Sequence, residues 1–121
     1  MRNELRFMSN ALVYINESSK ETQANLQDIS QSGLSIKSDD FIDIEPNSSY
    51  VIAIIPEEET NIEKFRLEIE SRWIKLNKSR IESGFSVIVP FDEKEFKSYL
   101  EYLAEKAKKQ TLPPDASETP Q

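Results

Sequence analysis

The 121-residue chain has no cysteine and no histidine. Without cysteine there is no disulfide framework and no thiolate chemistry. Without histidine the commonest general base and the commonest transition-metal ligand are both missing. Glycine occurs twice and tryptophan once. Long apolar runs are scarce as well. The longest, Tyr50-Val51-Ile52-Ala53-Ile54-Ile55, is far too short to span a bilayer. A net charge of −7 leaves no basic surface of the kind that grips long nucleic acids, yet it is compatible with a small anion held by a few arginines.

What is present is mostly alternation of polar and apolar residues. It predicts six strands, over 11–15, 21–29, 33–38, 50–55, 65–76 and 80–89. In the fifth, the apolar phase runs through Phe65, Leu67 and Ile69. It then slips, because Ile74 and Leu76 sit on the other parity; a β-bulge near 71–74 accounts for this. Phe41, Ile42 and Ile44 tack the acidic 39–49 connection to the core. Over 92–109 the period becomes helical, with Phe96, Tyr99, Leu100 and Leu103 on one face and Asp92 as N-cap. Strands followed by a single helix predict an all-β fold, a closed six-stranded antiparallel barrel with one C-terminal helix. The polar, Pro-containing segment 110–121 reads as a disordered tail.

Within the barrel, Asp28-Ile29-Ser30-Gln31-Ser32-Gly33 reads as a tight connection between two strands. Asp28 and Ser30 offer an acceptor beside a donor/acceptor, able to read the edge of a flat polar ligand. The same residues also fit a turn whose side chains bond nearby backbone. Glycine is so rare here that Gly33 is expected where another residue would strain the backbone. Trp73 is expected in the core or at a barrel end and not as a stacking platform, and Gly84 is expected to relieve crowding in a curved strand. The run Glu57-Glu58-Glu59 reads as solvated charge and not as a metal site.

Arg2 and Arg6 form an Arg-x-x-x-Arg pair, and Asp28, Ser30 and Gly33 form Asp-x-Ser-x-x-Gly. In this order and spacing the motifs resemble the PilZ domain family. Trp73, the segment 83–87 and the Pro-Phe-Asp before the helix extend the resemblance to roughly 2–109. It implies a split-barrel receptor for the bacterial second messenger cyclic di-GMP, with no catalytic activity and no cofactor. In that reading, 1–9 is a ligand-binding arm and 10–109 the barrel with its helix. Arg2 and Arg6 meet the phosphates and stack on guanine, while Asp28, Ser30 and Gly33 meet a guanine edge and the adjacent backbone. The implied setting is a cytoplasmic monomer or weak dimer that signals to a protein partner in motility or surface behaviour, without DNA, RNA or membrane insertion. Two rival readings are a PilZ-like interaction module that ignores nucleotide and an oligonucleotide-binding barrel. Net charge and the scarcity of aromatic–basic pairs count against the second rival.

Overall fold

Residue parity builds the walls. Along the strand Phe65–Asn77, Phe65, Leu67, Ile69 and Ser71 are buried at every second position, and the intervening residues face outward. In a computed structural model that describes residues 5–17, 20–39 and 42–111, the elements in chain order are β1 (Phe7–Met8), β2 (Leu12–Glu17), β3 (Lys20–Ile29), β4 (Gly33–Ser38), β5 (Ser49–Ile55), a 3-10 turn (Glu58–Thr60), β6 (Phe65–Asn77), β7 (Arg80–Pro90) and the helix α1 (Glu93–Thr111). The pairing order β3-β2-β5-β6-β7-β4 returns to its start through a β3–β4 pairing, and every pair is antiparallel. The result is the expected closed six-stranded barrel, in which closure leaves no long free edge.

Inside lie Val13, Ile15, Leu26, Leu34, Ile52 and Leu67, all at most 1% exposed. The helix caps one end of this core. Phe96, Tyr99 and Leu103 are buried there, as their spacing predicts, and the Phe65 ring lies 5.8 Å from those of Phe96 and Tyr99. Ile42 and Ile44 are buried and pin the 42–48 connection as expected, whereas Phe41 lies outside the described residues. Ser71 secures the same connection. Its Oγ donates to the Glu45 carbonyl and accepts from the Ser48 N–H. Asp92 precedes the helix, as an N-cap should, but its carboxylate takes the backbone N–H and Nε of Arg66 at 2.9 and 3.1 Å. The Arg66 hydrogen bond holds the Asp92 carboxyl below its usual range.

Three register shifts interrupt the ladders; one lies between Glu68 and Ile69 in the β6–β7 pairing, and the other two shape the outer face of the barrel. The β3–β4 ladder slips between Leu26 and Asp28, and the β6–β7 ladder slips between Ser71 and Trp73, where the sequence phase breaks. Each bulge gives one strand an extra residue, and so re-aims the side chain after it. Of the two placements expected for Trp73, core or barrel end, the core is ruled out here. The bulge at Arg72 turns the indole outward, and Trp73 is 47% exposed. Strand β1 has no counterpart among the six expected strands. It adds to β3 just beyond the point where β2 leaves it, with Phe7 opposite Ile29 and Met8 opposite Asp28.

Candidate functional site

The pairing registers set one row of residues across five strands: Met8, Asp28, Ser35, Gly84 and Trp73. Directly opposed residues share a face of a sheet, and here it is the outer face of the barrel. Ser35 and Gly84 are small, so the row is sunken there, while Asp28 and Trp73 rise on either side of them. At the usual strand spacing the row from Asp28 to Trp73 covers about 14 Å. A cavity of about 430 Å³ lies over this floor, lined by Arg6, Asp28, Gly33, Arg72, Trp73 and Gly84 among others. That volume falls within the range of small-molecule sites.

Three of the five residues singled out from sequence meet here. The pairing of β1 with β3 brings Arg6 to Asp28, and Arg6 Nη1 donates to Asp28 Oδ1 at 2.8 Å. Gly33 lies against the same guanidinium. A Cβ added to it would stand 3.0 Å from the Phe85 carbonyl oxygen and 3.1 Å from Arg6 Nη2. Its φ is not positive, so glycine is needed here for space and not, as its rarity suggests, for backbone strain.

Ser30 is placed differently. It is fully buried, its Oγ donates to the Gly33 carbonyl at 3.2 Å and accepts from the Gly33 N–H at 3.2 Å. Together with the 2.7 Å bond from its own N–H to the same carbonyl, this closes the turn behind the cavity. Arg2 lies outside the described residues.

Sequence reasoning missed the far wall. Arg72 Nε donates to Ser86 Oγ at 2.7 Å, and Arg72 Nη2 lies 3.4 Å from Glu70 Oε1, so its guanidinium is held at the rim. Trp73 lies over Gly84, where a Cβ would fall 2.2 Å from the indole Nε1. The phase slip at 71–74 was the available signal, together with the second glycine.

The arm is also tied to the helix. Ala11 N–H donates to Ser9 Oγ at 3.0 Å, and Ser9 Oγ lies 2.6 Å from the Tyr99 hydroxyl. That hydroxyl donates to Glu57 Oε1 at 2.8 Å, which leaves Ser9 as the donor to Tyr99. Asn10 N–H reaches the other Glu57 oxygen at 3.3 Å. Burial pushes the Tyr99 phenol well above its usual range. The carboxylate of Glu57, read from sequence as solvated, thus anchors the arm to the helix.

A family model for the PilZ domain matches residues 1–105. The chain belongs to the PilZ domain family. No curated protein sequence matches it. Among solved structures it is similar to the Bacillus subtilis inhibitor of motility MotI/DgrA, with TM-score 0.76 and 16% identity over 92% of this chain and 53% of that one. It is similar to the PilZ domain of YcgR from Escherichia coli with c-di-GMP, with TM-score 0.69 and 11% identity over 90% and 95%. It is also similar to the K. pneumonia MrkH–c-di-GMP complex, with TM-score 0.64 and 11% identity over 92% and 56%. The chain thus spans about half the length of the MotI and MrkH chains. At these identities the likeness establishes the fold, the PilZ barrel with its C-terminal helix. Among the described residues, no helix is long and apolar enough to cross a membrane.

Proposed function

We propose that this PilZ domain is a cytoplasmic, non-enzymatic receptor for cyclic di-GMP. It takes the ligand in the cavity between the N-terminal segment and the Asp28–Gly33 turn. The observation that carries the reading is the meeting of Arg6 at one cavity with Asp28 and Gly33, both more than 20 residues further along the chain. The c-di-GMP complexes of the similar YcgR and MrkH structures support it.

Energetics favour an exchange of partners. An exposed ion pair such as Arg6–Asp28 contributes about 1 kcal/mol or less. The Watson–Crick edge of guanine carries two adjacent N–H donors, each able to bond a carboxylate, and bonds to charged groups are worth roughly 1.5–3 kcal/mol. Guanine therefore takes the Asp28 carboxylate over. The Arg6 guanidinium is released to a phosphate, where its planar fork binds bidentately and its face stacks on a base. Arg2 joins it from the preceding segment. Ser30 acts from behind the wall by fixing the turn that holds Asp28 and Gly33. Phe7–Met8 stays paired with β3, so the expected ordering of a wholly loose 1–9 arm gives way to a rearrangement of the N-terminal segment around the ligand. That rearrangement changes the surface shown to a protein partner and couples ligand to output. MotI is described as an inhibitor of motility, and a motility role is the corresponding proposal here.

Isothermal titration tests the receptor reading. Cyclic di-GMP is expected to saturate the protein in the micromolar range, and Arg6→Ala and Asp28→Ala are each expected to abolish binding. Because the Arg6 side chain is half-exposed and Asp28 still reaches solvent, neither variant should move the thermal midpoint by much. Absence of saturation at tens of micromolar overturns the receptor reading in favour of a nucleotide-independent interaction module.

A further inference from the structure

Trp73 is the only tryptophan in the chain, and its position is costly if it serves the barrel alone. An indole 47% exposed leaves much of its apolar surface in water. The core is already filled by Leu67, Ile69 and Phe85 on the inner faces of the same two strands. Two independent features instead fix the ring at the cavity. The bulge at Arg72 turns it to the outer face, and the missing side chain at Gly84 gives it a seat so close that any Cβ would overlap the indole. The ring thus stands on one side of the sunken floor of Ser35 and Gly84, with Asp28 on the other side.

We infer that Trp73 is a stacking platform for a purine base in this cavity, seated by Gly84 and steered by the Arg72 bulge. The inference rests on the receptor reading and extends its site to a second wall. Asp28 reads an edge, which distinguishes guanine from adenine. Trp73 meets a face, which every purine presents alike. Arg72, held by Ser86 and Glu70 at the same rim, supplies a cation near the stacked nucleotide. The two walls therefore divide the work: one sets which base is bound, the other sets how tightly any purine is held.

This division is testable with the full chain, because its single indole reports on its own site. Cyclic di-GMP is titrated while heat and tryptophan fluorescence are recorded in parallel, and cyclic di-AMP serves as the comparison probe. The expected result is a fluorescence change that saturates together with the heat. Trp73→Ala is expected to weaken both probes by about tenfold or more, a loss in the range of one lost base–aromatic stack. Trp73→Phe should recover most of that loss, and the ratio of guanine to adenine affinity should stay unchanged. Gly84→Ala keeps the indole but displaces it, and should weaken binding comparably. Asp28→Ala, by contrast, should abolish cyclic di-GMP binding outright, so that the preference for guanine is lost with it. Binding by heat with an unchanged fluorescence, and a Trp73→Ala affinity within twofold of the parent, overturns the inference and leaves the receptor reading standing. No heat with either probe overturns the receptor reading itself, and the inference falls with it. Should Trp73→Ala fail to fold, the parent's fluorescence titration decides alone.

Discussion

The Tyr99 network gives the sharpest stability prediction, because Tyr99→Phe removes one oxygen and leaves the ring packed against Phe65. The variant loses the bond to the Glu57 carboxylate and the bond from Ser9. A bond to a charged acceptor contributes roughly 1.5–3 kcal/mol and a neutral one about 1. Removing the buried phenol's desolvation cost offsets part of this, for a net loss of about 2 kcal/mol. In a domain of this size that lowers the thermal midpoint by roughly 8 °C. Urea unfolding followed by far-UV circular dichroism should show a lower midpoint at unchanged m.

The same substitution should also change the pH dependence. Burial raises the folded-state pKa of Tyr99 above the unfolded value of about 10. The associated stability is present in full below pH of about 10 and is lost as pH rises from there toward the folded value, at about 1.4 kcal/mol per pH unit. The difference in alkaline slope between parent and variant isolates Tyr99 from the other three tyrosines. A loss below about 0.5 kcal/mol with unaltered alkaline slope would show that the arm is not anchored to the helix through this hydroxyl.

Gly33→Ala places a methyl group against the Phe85 carbonyl, which cannot move away, and against the Arg6 guanidinium, which can. It should cost about 1 kcal/mol in urea unfolding and weaken cyclic di-GMP at least tenfold by titration; unchanged affinity would remove Gly33 from the site. Lys78 sits at φ 61° in the two-residue link between Asn77 and Arg80, a conformation that disfavours residues with a Cβ. Lys78→Gly should therefore raise stability by about 0.5 kcal/mol, after allowance for the added freedom of the unfolded chain. A drop in the thermal midpoint contradicts this.

Much of the barrel was legible because its code is local. Parity at Phe65, Leu67 and Ile69 marks a strand and an inner face, and the spacing of Phe96, Tyr99 and Leu103 marks a helix lying on it. The bulge was legible too, since a broken phase is itself a local signal. Its consequence for Trp73 was not, because the direction of the indole depends on the residue opposite, Gly84, and on a floor built by three other strands. Both glycines stand out in the sequence, but strain is not their reason: each makes room for a side chain from a distant strand or segment, and neither has positive φ. Strand β1 is two residues long and exists only by pairing with β3, so no pattern within it could reveal it. The Ser9–Tyr99–Glu57 chain joins positions 90 and 42 residues apart, beyond the reach of any periodicity. Ser30 carried the right chemistry for a ligand contact, but a short hydroxyl beside a turn finds main chain first.

If the proposed receptor site is right, one cavity, walled by the Asp28–Gly33 turn and by the Trp73 strand, receives the dinucleotide. Gly33 and Gly84 both line that cavity and are the only glycines in the chain. An amide NMR titration with cyclic di-GMP on uniformly labelled protein therefore tests it from three resolved signals: two glycine amides and one indole N–H. All three should shift and saturate together, while the Ile88 and Leu100 amides, on the neighbouring groove by the helix, stay in place. Saturable shifts at Ile88 and Leu100 with the glycine and indole signals unmoved would place the ligand elsewhere and contradict the proposed site.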